Sequence, residues 1–456
     1  MLNHQSGLVW IHDEAGRSRK PSLAKKMKTK IRKNLCNNFK PALVKAGSQG
    51  VCAALMVGAM DFYCTNASAV GFRVPSQDPE AIARGNAFVA TADNPSAIYY
   101  NPAGITQIEG QSLSAGLYAI STDVKFEPAT GGPSARTKGD YHELPQFYYV
   151  ISPKDFPLSF GLGIYVPYGL TIDWGQNPPF NNVAKNGSLE YVTVNPVVAW
   201  KALPSLSVGI GPTINYSKAD FNRGVGFAAN DEFHFVGDDY TFGFDAGIRW
   251  QPCEMLSFGA KYNYLTTMNY KGHSSITPPL PFPPPFQSTA TDTSASIRFP
   301  QSAAVGVSFR PTENWNLEFD IDWTDWDNFN QIAFNNTPVG NQVFLLNYKS
   351  SFMYEFGVTR QLGKGYWASL GYMYSENSSP EANFNPLIPD SNWNLGSAGF
   401  GHKGKHWEWA LAYQFAINAG RQVNGSSYNQ PAPGFTVDGT YRTFLDAFNG
   451  SVTFKF

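Results

Sequence analysis

The chain has 456 residues, of which 15% are charged and 15% aromatic, with 42 glycines and a formal net charge of −1. Soluble domains carry about 25% charged residues, so this charge-poor surface faces something other than water, yet no uninterrupted run of 18 or more apolar residues is present to form a helical membrane span. The basic excess is confined to residues 1–69, which hold 11 Lys and Arg against 3 Asp and Glu, leaving 23 against 32 in the remainder, so no nucleic-acid surface is expected.

Residues 1–69 read as a leader. Lys25, Lys26, Lys28, Lys30, Arg32 and Lys33 form a basic region, Val51–Ala59 is a short apolar run interrupted afterwards by Asp61, and Ala67-Ser68-Ala69 offers the small residues of a signal-peptidase site. Translation from Met27 would give a leader of more ordinary length. Cys36, Cys52 and Cys64 lie in this leader, and Cys253 alone lies beyond it, so no disulfide is expected within the body.

Residues 70–110 do not alternate. They carry Pro75, Pro79, Pro95 and Pro102, with a helix-compatible piece around 79–89 that Asp78 would cap and Pro79 would open. A compact segment of this kind, ahead of the first strand, suits a hatch folded inside a barrel; the other reading is a periplasmic extension.

Residues 111–456 repeat one device. In Leu158–Val166 the even positions are large and apolar, and three of the four between them are Ser or Gly. Phe242, Phe244, Ala246, Ile248 and Trp250 alternate with Gly243, Asp245, Gly247 and Arg249. The same pattern holds in Trp315–Trp323 and Trp407–Phe415. Successive side chains of a strand face opposite sides, so each strand has one greasy face and one small or polar face. Short connections near 153–157, 202–205, 251–255, 310–314, 362–365 and 403–405 are interleaved with long ones near 125–140, 173–187, 220–238, 271–297, 325–349, 377–390 and 416–443. Strict short and long alternation is what periplasmic turns and extracellular loops produce, and it yields about fourteen strands, an even number. Lipid offers no partner to an unpaired strand edge, so the sheet is expected to close. The fold class predicted is all-β: a transmembrane antiparallel β-barrel of about 14 strands with an N-terminal hatch in its lumen, in the bacterial outer membrane. The last strand alternates Phe448, Gly450, Val452, Phe454 and Phe456 and ends on that aromatic residue, which resembles the terminal signature read by the barrel-assembly machinery.

By parity Asp245, Arg249, Lys261, Arg310, Glu318, Asp320 and Asp322 face the lumen, as a network holding the hatch or as a selectivity element. Val166-Pro167-Tyr168-Gly169 interrupts the third strand: Pro167 cannot donate to the ladder and Gly169 permits a kink. The Pro-rich, apolar stretch 277–286 is either part of an outer capture surface or a stiff cover without ligand contact. His142, His234, His273, His402 and His406 scatter without a nucleophile motif, and no Cys/His spacing suits zinc. No catalytic residue, metal or cofactor is expected.

The hatch segment carries Ala83-Arg84-Gly85-Asn86-Ala87, Asp93-Asn94-Pro95-Ser96 and Asn101-Pro102-Ala103-Gly104. Further on stand Phe299-Pro300, then Asp322-Trp323-Thr324-Asp325-Trp326, then Pro386-Leu387-Ile388-Pro389-Asp390 before a strand. With these motifs, spread from about residue 70 to the end, the chain resembles the long-chain fatty-acid transporter family of outer-membrane proteins, which includes aromatic-hydrocarbon channels. The resemblance implies a fourteen-stranded barrel with a hatch, and passive transport. Ligand would be captured outside, passed to a pocket above the hatch and released sideways through the wall. Long-chain fatty acids are the first expectation; aromatic hydrocarbons, or a structural or adhesive barrel without transport, are the alternatives. An outer-membrane lipid hydrolase is the reading from another class.

By the same resemblance Phe72 reaches the ligand pocket, Asp93, Asn101, Pro102 and Ala103 belong to the gate, and the wall opens at Pro167 and Gly169. Lys218 and Lys349 fall where cations would meet a carboxylate. Strand alternation gives Lys218 the outward parity of Leu206, Val208 and Ile210, so a bulge, for instance at Pro212, is required to turn it inward. Otherwise both lysines are interfacial residues reaching toward lipopolysaccharide or lipid headgroups.

Overall fold

In the computed structural model the described residues are 71–226, 231–277, 290–418, 420–429 and 435–456. The expected leader and most of the proline-rich loop lie outside them. No helix among the described residues is long and apolar enough to cross a membrane.

Fourteen staves form a closed antiparallel sheet. In chain order they are β1 (Gly110–Pro128), β2 (Tyr141–Ser152), β3 (Leu158–Asp173), β4 (Asn186–Leu203), β5 (Leu206–Arg223) and β6 (Glu232–Cys253). Next come β7 (Leu256–Asn263 continued by Thr266–Thr277), β8 (Thr291–Phe299 continued by Ser302–Thr312), β9 (Trp315–Thr324) and β10 (Ser351–Gly363). The last are β11 (Tyr366–Ser375), β12 (Trp393–Lys403), β13 (Trp407–Ile417) and β14 (Gly439–Lys455). Closure is made by β1 and β14, in unbroken register from Ser112↔Lys455 to Pro128↔Gly439. Every strand but one pair is hydrogen-bonded along most of its length, which removes the edges that hydrocarbon cannot solvate.

The greasy parity faces out. Phe242, Leu370, Leu411, Phe448 and Trp407 are exposed, while their chain neighbours Ser369, Ala410, Ala412 and Asn449 are buried inside. The short turns fall where expected. The long connections hold more order than loops: β5 and β6 stay paired out to Arg223↔Phe233, and the 325–349 connection carries a hairpin of Gln331–Asn335 on Gln342–Leu345.

The hatch, residues 71–109, fills the bore. It contains α1 (Pro79–Ile82), α2 (Ala97–Tyr100) and a 3₁₀ turn over Pro102–Gln107. Asp78 caps α1, accepting from the backbone N–H of Glu80 at 2.9 Å and Ala81 at 3.2 Å. The helix expected to run to 89 ends at Ile82, because Gly85 and Asn86 both take positive φ, 67° each. The wall makes room by omitting side chains. An added carbon at Gly259 would lie 2.1 Å from the Val89 carbonyl, and one at Gly247 would lie 2.2 Å from Asn101 Oδ1.

Candidate functional site

Three inward carboxylates on β9, two residues apart and so on one face, grip the hatch. Asp320 Oδ2 accepts from the N–H groups of Phe88 (2.7 Å) and Val89 (2.8 Å). Glu318 Oε1 accepts from those of Ala90 (3.0 Å) and Thr91 (2.8 Å). Asp322 holds both terminal nitrogens of Arg73 at 2.7 Å. Other walls add to this. Arg249 Nε donates to the Ala90 carbonyl at 3.0 Å, Lys261 Nζ to the Tyr99 carbonyl, and Lys403 pairs with Glu80 at 2.8 Å. Asp245 stands 3.9 Å from Lys261. The lumen-facing charges read from the sequence are thus mainly a docking frame for the hatch backbone.

The four expected gate residues are built into this frame. Asn101 donates to the carbonyls of Val89 (2.8 Å) and Ile248 (3.0 Å) and accepts from Ala103 N–H at 3.2 Å. Pro102 and Ala103 press so closely on β5 that a side-chain carbon at Gly209 would sit 2.6 Å from both the Pro102 carbonyl carbon and the Ala103 nitrogen. Asp93 lies 3.6 Å from Lys403. Burial would raise its carboxyl, but Lys403 and the nearby arginines outweigh it and hold it below the ordinary range.

In the wall, the pairing of β2 with β3 stops short of Pro167. β2 and β3 pair only from Ile151↔Phe160 to Phe147↔Ile164. Beyond that, Tyr141–Gln146 of β2 still pairs with β1, while β3 shifts register against β4 between Tyr165 and Tyr168 and turns away from β2. Pro145, on the facing edge of β2, likewise has no N–H to offer. The freed edge of β3 is taken by the hatch. Arg73 bridges Tyr168, Val74 N–H donates to the Pro167 carbonyl at 2.8 Å, and Gly169 N–H donates to the Phe72 carbonyl at 2.9 Å. Gln77 Nε2 adds a bond to the Val166 carbonyl at 2.7 Å.

Above the hatch, toward the long connections, the bore is lined by a large apolar cluster centred on Phe72, whose side chain is 3% exposed. Its ring meets Tyr168, Phe299, Trp326 and Phe329 with centroids 5.0 to 6.0 Å apart, mostly edge to face. Met268, Tyr270, Phe235 and Phe334 extend the cluster outward. Three of its phenols are occupied: Tyr270 with Ser217 at 2.7 Å, Tyr191 with Thr266 at 3.0 Å and Tyr168 with the Pro300 carbonyl at 3.1 Å. Trp326 Nε1 is buried with no hydrogen-bond partner among the described residues.

The two expected lysines are not in this chamber. Lys218 stays on the outer face with Ile214 and Tyr216, in register with Glu190 on one side and Asp238 on the other. β5 pairs with β6 in one register from Leu206 to Arg223, so no bulge at Pro212 turns it inward. Lys349 is exposed at the rim, while Tyr348 beside it is buried against Trp326 and Phe329. A cation that does reach the chamber is Arg223, at the outer end of β5. Its guanidinium lies 5.2 Å from the ring centroids of both Phe233 and Phe344, and its Nε is buried without a partner among the described residues. Sequence reasoning passed over Arg223 because it was placed in a loop, not on a paired strand whose parity could be read.

A match to a family model now places the whole architecture. Residues 60–454 match the model of the outer membrane protein transport protein family (OMPP1/FadL/TodX). The chain belongs to this family. Among curated relatives it is 22% identical over 404 residues to a long-chain fatty acid transport protein of Escherichia coli O6:H1, covering 80% of this chain and 87% of that one. It is likewise 22% identical over 362 residues to the long-chain fatty acid transport protein of Salmonella typhi, covering 72% and 82%. Among solved structures, a Pseudomonas aeruginosa FadL homologue superposes with a TM-score of 0.73 at 18% identity, covering 85% of this chain and all of that one. The Pseudomonas putida toluene transporter TodX gives 0.64 at 16% identity, covering 84% and 99%. These likenesses confirm the barrel, and the family places the protein in the outer membrane.

Proposed function

We propose that this outer-membrane protein carries hydrophobic molecules inward by diffusion, long-chain fatty acids first, through the chamber around Phe72 and out sideways between β2 and β3. The breach in the wall, stopped from inside by residues 72–74, is the observation that carries this reading. An apolar tail gains nothing from a polar bore, which here is packed with hatch and charge. In an aromatic chamber it gains about 0.8 kcal/mol per buried CH₂. Phe72 occupies the centre of that chamber, so a ligand takes its place by displacing the segment that stops the breach. Relatives that are fatty acid transport proteins support the acid, and Arg223 at the chamber's outer end supplies a charge for its head. The aromatic walls equally suit a neutral aromatic hydrocarbon, the cargo of the toluene transporter with the same fold. Outward aromatic and apolar side chains provide the contact with membrane lipid and lipopolysaccharide, and the exposed Phe456 side chain leaves the terminal aromatic free for the assembly machinery.

Uptake of labelled oleate and of labelled toluene should be compared in cells with and without the gene. Loss of either uptake on deletion supports transport and names the cargo. If both rates are unchanged, the protein is a structural barrel.

A further inference from the structure

We infer that Asp322 is a positioning residue for transport: with Thr324 it forms the catch that holds the hatch's first residues across the bore and keeps the side exit shut. This inference rests on the transport reading. The hatch segment 72–74 is fixed at two ends. On one side its backbone is paired to the freed edge of β3. On the other, Arg73 reaches β9, six staves round a fourteen-stave barrel and so nearly opposite β3. There its guanidinium makes a bidentate pair with Asp322, both bonds 2.7 Å, and a third bond to Thr324 Oγ1 at 2.8 Å. Both side chains are more than nine-tenths buried. Residues 72–74 therefore form a bar from wall to wall, with the apolar chamber above it and the polar docking layer below.

The bar's two sides have different chemistry. The β3 side is a pair of backbone hydrogen bonds and the ring contacts of Phe72, which a hydrophobic ligand competes with directly. The β9 side is an ion pair that no apolar ligand touches. A planar guanidinium fork matched to a carboxylate is specific in angle as well as distance, so Arg73 fixes where Phe72 and Val74 stand against β3. The catch shares a small cavity, of about 20 Å³, with Lys261, Asn263, Ser302 and Glu355. That volume holds roughly one water, and a water has enough polar neighbours there to take over part of the Arg73 shell when the pair opens. Ligand binding above and release of the catch below are thus separate events on one short segment.

The test uses the full chain in outer membranes of intact cells, with a fluorescent apolar dye that brightens on reaching the membrane interior. Asp322→Asn keeps the shape and removes the charge; it is expected to raise dye entry in the absence of fatty acid at least tenfold over wild type. Arg73→Lys keeps the charge without the fork and is expected to lie between the two. The exchanged pair Arg73→Asp with Asp322→Arg is expected to return entry toward the wild-type rate, which general loosening of the barrel would not do. Resistance of the folded barrel to unfolding in detergent, read by gel mobility, should be the same in all four proteins. Equal dye entry in wild type, Asp322→Asn and Arg73→Lys, with oleate or toluene uptake intact, overturns the catch and leaves the transport reading standing. Wild-type protein that passes neither dye nor labelled cargo overturns the transport reading and the catch with it.

Discussion

Replacing Asp320 by Ala tests whether β9 holds the hatch through its backbone. Asp320 is fully buried, and one oxygen accepts two adjacent N–H groups, from Phe88 and Val89. Truncation leaves both donors buried without an acceptor, at about 1–3 kcal/mol each, or about 2–6 kcal/mol for the pair. Part of this is offset, because Asp320 is itself a buried carboxylate whose other oxygen has no hydrogen-bond partner among the described residues and packs onto Gly306. The lower half of the range is therefore expected. Since about 1.4 kcal/mol is a factor of ten, amide exchange in residues 86–92 should speed up by about 30-fold or more. Hydrogen–deuterium exchange on protein in detergent micelles measures this, with β1 as an internal control. Asp320→Asn retains an acceptor oxygen and should change exchange several-fold less than the alanine. The reasoning fails if the alanine variant leaves 86–92 within twofold of wild type, or if protection falls equally in β1, which would signal loss of the barrel instead of the hatch.

Three further outcomes are expected. Arg223→Gln should weaken binding of a fatty acid about tenfold or more, since a charge-assisted hydrogen bond is worth about 1.5–3 kcal/mol, and leave its methyl ester unaffected; Lys218→Ala should change neither, as read by ligand titration of purified protein. Gly247→Val should give a barrel that still folds but with the hatch unseated, because the new carbon would fall 2.2 Å from Asn101 Oδ1; a planar-bilayer recording should show raised ion conductance, and wild-type conductance would contradict the close packing. Acidification should tighten the hatch and rim. Burial, with Glu80 beside it, raises the Asp78 carboxyl to about 7, and burial raises Asp390, in the loop before β12, to about 6. Both hold their protons more firmly folded than unfolded, so their contribution is full below about pH 4 and lost as pH rises through 6 to 7. At about 1.4 kcal/mol per pKa unit, Asp78 accounts for up to about 4 kcal/mol; Asp93, held low by Lys403, works in the opposite sense only below about pH 4. Proteolysis of the hatch should slow between pH 7.5 and 5, and Asp78→Asn should flatten that dependence.

What the residues determine by themselves is the wall. A side-chain period of two, with large apolar residues on one parity and small or polar ones on the other, has one solution in lipid: closed strands with the greasy face outward, and so fourteen staves from the rhythm of turns. The same parity placed Glu318, Asp320 and Asp322 inside and Lys218 outside, because each of these follows from local geometry alone. Tertiary structure decided everything that depends on which walls face each other. That Asp322 meets Arg73 across 249 residues of chain, that the glycines at 209, 247 and 259 are the seats of the hatch, and that Arg223, not Lys218 or Lys349, reaches the chamber are consequences of closure and of a hatch that does not alternate. No period in the sequence reports a contact between a strand and the irregular segment it encloses.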